Sequence, residues 1–138
     1  MKVKLESIHG DLNFKGTNER GQSLQFSGQQ EAVSPMESVL MAAAACSTID
    51  VEIILKKMRQ DVKSVLVEVE GTRADAVPSV FTKIHMHYIV SGDIKEDKVR
   101  KAVEMSMEQY CSVSIMLSKS VQITYSVEVR MAEWNEEM

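Results

Sequence analysis

The segment from Ser34 to Gln60, SPMESVLMAAAACSTIDVEIILKKMRQ, constrains the fold more than any other part of the chain. Ser34 is a good N-cap, Pro35 suits the first helical position, and Glu37 stands three residues after the cap, so Ser34 and Glu37 make a capping box. A helix running to Gln60 would be ~39 Å long at ~1.5 Å per residue. From Ser38 to Ile49 it carries no charge, and the alanines at 42–45 leave room for close approach. A helix apolar nearly all round is a buried helix. A chain of 138 residues suits one domain with a real core, yet it can hardly wrap such a helix alone. A partner subunit is therefore expected to cover part of it.

Around this helix the pattern alternates like strands. Val3 to Ile8, a short piece near Leu12 to Lys15, and Ser23 to Ser27 precede it; Val62 to Gly71 and Thr82 to Gly92 follow, with Pro78 in their connection. Lys95 to Tyr110 reads as a second amphipathic helix, with Val99, Ala102, Val103 and Met107 on one face and Asp93 as its cap. CSVSIMLSKS looks like a further helical segment broken near Cys111, and VQITYSVEVR closes as a strand. Strands, long helix, two strands, helix, strand is the order of an α+β domain with a segregated sheet. No repeat, low-complexity segment or linker divides the chain, so residues 1–138 are expected to form a single domain.

Composition narrows the function classes. A net charge of −4, with Lys56, Lys57 and Arg59 the one basic cluster, gives no reason to expect nucleic acid, and cations at a helix C-terminus complement its dipole anyway. The N-terminus alternates and lacks the apolar core of a signal peptide. The uncharged run is shorter than the roughly 18 residues of a membrane span, so no membrane partner and a cytoplasmic location are expected. In that compartment two cysteines are not expected to form a permanent bridge, and a transient redox pair is admissible.

Those two cysteines, Cys46 and Cys111, lie 65 positions apart, which excludes a CxxC motif and a local zinc knuckle. Two unrelated core thiols remain one reading, since free cysteine is among the most buried residue types. Cys111 precedes an apparent helix restart, where free N–H groups favour a thiolate. Cys46 is mid-helix and would need a side-chain partner. Glu37, nine positions earlier, points to a roughly similar side of the helix, and could orient a cation or simply serve the capping box. Asp50, rather than Glu52, is placed to reach the face of Cys46. His85 and His87 share a strand face, but no spacing specifies a third ligand, so no metal and no cofactor are expected. The methionines on helical segments read as gap-filling core residues.

SPMESVLMAAAACS followed by YCSVS resembles the OsmC/Ohr family of osmotically induced and organic hydroperoxide resistance proteins. Two features carry the resemblance together: a Pro-x-Glu helix start nine residues before a cysteine in an alanine-rich helix, and a later Cys-x-Val-Ser. The continuation from Cys46 to Leu55 is similar to a less characterised branch of that family. The resemblance implies antiparallel sheets packed on a long central helix in an intertwined homodimer. It also implies reduction of small organic hydroperoxides in an oxidative stress response. Cys46 would attack the peroxide, Cys111 would resolve the product to a disulfide, and a dithiol such as a dihydrolipoyl group would reduce the bridge.

One departure bears on that chemistry. The family's peroxidases carry an arginine in an Arg-Phe-x-Gly segment, held by the helix-start glutamate. Here the similar segment is QFSG, Gln25 to Gly28. Glutamine donates a hydrogen bond without charge, and charge-assisted bonds are roughly twice as strong. Arg20, five residues earlier, is the candidate replacement in the substrate site. The alternative expectation is a non-peroxidase OsmC-like dimer that binds a small apolar or thiol-bearing ligand.

Overall fold

In the computed structural model, which describes residues 1–7 and 9–131, two compact units follow one another, Met1–Val39 and Leu40–Met138. Ile8, the expected end of the first strand, lies outside the described residues.

The N-terminal unit is an antiparallel meander of β1 (Val3–Ser7), β2 (Asn13–Asn18) and β3 (Ser23–Ser27). The second strand begins later than the expected Leu12, because Leu12 adopts φ +67°, which a strand cannot hold. Leu5 pairs with Gly16, Gly16 with Leu24, and Phe14 with Phe26, so one face is apolar.

Helix α1 runs over Pro35–Lys57 and starts on the expected capping box: the Glu37 N–H donates to Ser34 Oγ at 3.1 Å, and the Ser34 N–H to Glu37 Oε1 at 2.9 Å. It stops short of Gln60. Arg59 turns into the left-handed region at φ +62°, and the Gln60 N–H closes on the Leu55 carbonyl while the Arg59 N–H closes on Lys56. This is a Schellman stop with arginine in the place glycine usually takes. Ala43, Ser47, Val51 and Leu55, spaced four apart, form its buried stripe. By length and composition α1 also meets the test for a membrane-crossing helix, which corrects the expectation that no stretch of this chain does.

The C-terminal sheet has the order β4-β5-β6, with β4 at Asp61–Arg73, β5 at Phe81–Asp93 and β6 at Gln122–Arg130. The expectation of purely antiparallel sheets fails here. β4 and β5 are antiparallel, but β6 runs parallel to β5. Between β5 and β6 the chain passes through helical segments spanning residues 96–117, and such a crossover returns it in the same direction. Gly92 is required where β4 slips register between Val62 and Ser64: at φ +141° a Cβ would stand 2.1 Å from the Asp61 carbonyl oxygen.

The expected helix from Lys95 to Tyr110 is two structures: α2 (Glu96–Met105) and a π-helical turn (Ser106–Tyr110). Its N-cap is Lys95, not Asp93; the Lys95 N–H donates to Gln60 Oε1 at 2.9 Å. Val99, Ala102 and Val103 are fully buried, whereas Met107, carried out of α-helical phase by the π turn, is half-buried. Helix α3 (Ser112–Leu117) then begins with Cys111 as its N-cap.

Candidate functional site

The C-terminal unit brings Cys46 and Cys111 together. Cys46 is half-buried on α1, Cys111 is fully buried, and both are free thiols. Cys46 stands close enough to Cys111 to influence its thiol. The backbone of Cys111 is set by two bonds: its N–H closes the π turn on the Ser106 carbonyl at 2.7 Å, and its carbonyl accepts from Ile115 N–H at 2.9 Å. Its sulfur donates to Ser114 Oγ at 3.2 Å, accepts from the Ser114 N–H at 3.4 Å, and lies 3.9 Å from the Ala43 carbonyl oxygen of α1. Burial pushes the Cys111 thiol pKa up, the side-chain and backbone hydrogen bonds with Ser114 pull it down, and Cys46 adds a smaller upward push. The net direction is upward, which favours the thiol form of Cys111.

Beside the thiols runs a buried chain of hydroxyls. Tyr88 OH meets Ser47 Oγ at 2.5 Å, Ser47 Oγ meets Ser106 Oγ at 2.9 Å, and Ser106 Oγ meets Asp50 Oδ2 at 3.1 Å. An Asp50 carboxylate only accepts, which makes Ser106 the donor there. The Ser106 hydroxyl faces Ser47 Oγ as a donor too, so its one proton is shared between Ser47 and Asp50, while either Tyr88 or Ser47 can donate in the bond between them. Met86 Sδ, 3.6 Å from the phenol, is a weaker contact. Burial raises the Tyr88 pKa to about 12, against the lowering effect of Ser47, with Cys111 and Asp50 adding to the rise. Tyr88, Ser47 and Ser106 escaped the sequence reading because serines inside helices carry no pattern of their own. Only the spacing of Ser47 and Asp50, one and four residues after Cys46, hinted at a shared face.

The remaining expected site residues belong to the N-terminal unit. Glu37 is exposed, and its carboxylate is engaged in the capping box. Gln25 is an exposed residue of β3, paired with Lys15. Arg20 stands in the β2–β3 turn, where the Asn18 side chain accepts from the N–H groups of Arg20 and Gln22, and Arg20 Nε donates to Gln22 Oε1 at 3.2 Å. That turn gives Arg20 a neighbour of its own two residues away.

His85 and His87 do share a face, and their ring nitrogens are engaged along β6. His85 meets Thr124 Oγ1 at 2.7 Å and Ser126 Oγ at 2.9 Å; His87 meets Ser126 Oγ at 2.6 Å and Glu128 Oε1 at 3.2 Å. Arg130 and then His87 hold the Glu128 carboxyl below its ordinary pKa. Among the described residues, no three His, Cys, Asp or Glu side chains converge as metal ligands.

A mixed α+β fold presenting two adjacent thiols, one on a long helix and one at a helix restart, defines a recognisable class. Residues 28–126 match the family described as OsmC-like protein, and the chain belongs to that family. It is 45% identical over 132 residues to Protein YhfA of Escherichia coli (strain K12), covering 94% of this chain and 98% of that one. A hypothetical protein from Aquifex aeolicus VF5 has a similar structure, with 32% identity, a TM-score of 0.86, and coverage of 94% and 96% of the two chains. An organic hydroperoxide resistance protein OsmC from Legionella pneumophila shares the fold, at 17% identity and a TM-score of 0.71 over 93% and 96% of the chains.

Proposed function

We propose that this protein reduces small organic hydroperoxides with two thiols. The observation that supports the reading is the packing of the Cys111 sulfur on α1, 3.9 Å from the carbonyl oxygen of Ala43, three residues before Cys46, although the two cysteines stand 65 positions apart in sequence. The Cys46 thiolate attacks the outer peroxide oxygen; the O–O bond breaks, the alkoxide takes a proton and leaves as an alcohol, and Cys46 becomes a sulfenic acid. Cys111 sulfur then bonds to Cys46 sulfur, the S–O bond breaks, and hydroxide leaves with the Cys111 proton as water. A dithiol such as a dihydrolipoyl group restores both thiols by exchange and departs as its own disulfide. In this reading the single domain acts in the cytoplasm as an intertwined homodimer, Glu37 orients the activating group, and Gln25 and Arg20 contribute to substrate binding.

A second reading has its own observation. Gln25, neutral and exposed, stands where the resembling peroxidases carry arginine, so the thiol pair could serve an OsmC-like dimer that binds an apolar or thiol-bearing ligand instead. A thiol count on denatured protein after one equivalent of cumene hydroperoxide separates the two. Rapid loss of two thiols, abolished by Cys46→Ser, is expected. Survival of both thiols for minutes would leave the binding reading in its place.

A further inference from the structure

We infer that Ser106 is a positioning residue for the thiol pair, holding Cys111 in register with Cys46; the inference rests on the two-thiol reading above. Ser106 is fully buried and bonds in two directions at once. Through its main chain it is tied to Cys111, whose N–H its carbonyl accepts at 2.7 Å, the bond that closes the π turn. Through its side chain it is tied to α1: its Oγ lies 3.4 Å from the Ser47 carbonyl oxygen, 2.9 Å from Ser47 Oγ and 3.1 Å from Asp50 Oδ2. Ser47 is the neighbour of Cys46, and Asp50 is one helical turn beyond it. One residue therefore braces the backbone that presents the second sulfur against the helix that presents the first.

The geometry of disulfide closure makes such a brace consequential. Two cysteines close only when their Cα atoms come within ~7 Å with suitably directed Cβ bonds. An α-helix continued past Met105 would carry Cys111 to a different height and angle, whereas the extra residue of a π turn shifts it. π turns are rare and recur at functional positions. Ser106 secures this one through the charged acceptor Asp50, the stronger kind of hydrogen bond. Condensation then proceeds as written above: the S–S bond forms, the S–O bond of the Cys46 sulfenic acid breaks, and water leaves.

The test measures the Cys46–Cys111 disulfide at equilibrium with reduced and oxidised glutathione in the full-length protein, which needs no peroxidase activity. Wild type is expected to form the bridge. Ser106→Ala should lower its equilibrium constant by about tenfold, the order expected for one or two lost buried hydrogen bonds. Asp50→Asn, which keeps an acceptor but removes its charge, should lower it by a smaller factor. This half-exposed site gives a readout even where the buried Ser106→Ala variant does not fold. After one equivalent of cumene hydroperoxide, both variants should divert Cys46 sulfenic acid from the bridge to a dimedone adduct. Equilibrium constants unchanged in the variants that fold, or a wild type that forms no bridge with glutathione, would overturn the inference. A wild type that bridges with glutathione and ignores hydroperoxide would instead refute the peroxidase reading while leaving the brace intact.

Discussion

The two sheets of this protein are each three-stranded and patterned by alternation, yet they bury their residues very differently. In the C-terminal sheet, Ile84, Met86, Tyr88 and Val90 of β5 are completely buried. In the N-terminal sheet, Ser27 is the one buried residue among those described, while Leu5 is 63% and Leu24 66% exposed. What differs is cover. The C-terminal unit includes α2, α3 and most of α1, and its sheet is tied to α1 through Tyr88 and Ser47. The N-terminal unit contains its three strands and only the first turn of α1. Three strands gain stability from an apolar face only when something packs on it. The homodimer proposed above would supply that cover by a second copy. α1 itself shows the same need, with Met41, Ile49 and Ile53 each more than half exposed.

The contrast is open to direct attack. Ile84→Ala should cost about 2–5 kcal/mol, as buried truncations do, and Leu24→Ala within about 1 kcal/mol at protein concentrations low enough to keep the chain monomeric. Urea unfolding of both variants checks this, and equal costs would mean that the N-terminal face is as well packed as the C-terminal one. If a second copy covers that face, the cost of Leu24→Ala should rise with protein concentration.

Alkaline lability should reside in the C-terminal unit, which holds all three tyrosines. Tyr88 has an ordinary pKa of 10.0 and a folded value of about 12. The folded state therefore keeps its proton where the unfolded chain loses it. This contribution, about 2–3 kcal/mol, is complete below pH ~10 and is lost as the pH rises through ~12. Unfolding free energies of wild type should fall across that window, and those of Tyr88→Phe should fall less. An identical slope would show that the phenol is solvated.

The smallest effect concerns the best-built local feature of the N-terminal unit. Ser34→Ala removes one half of the capping box and should destabilise by about 1 kcal/mol in thermal or urea unfolding. No change would mean that tertiary packing, not the cap, sets where α1 begins.

Local chemistry made much of this legible. The start of α1 was written in Ser34, Pro35 and Glu37, and the strands of the C-terminal unit in the alternation of Val62 to Gly71 and Thr82 to Gly92, because caps and period-two burial are short-range properties. The family was carried by the context of Cys46 and Cys111. The end of α1 was not legible, since Arg59 adopts a left-handed conformation that its side chain does not advertise. Nor was the parallel course of β6, which depends on where the crossover, whose helices span residues 96–117, returns the chain. The brace from Ser106 to Ser47 and Asp50 joins residues 59 and 56 positions apart. A serine hydroxyl can satisfy itself with its own helix or with water, so only the packing of the π turn on α1 decides that it bonds across the core.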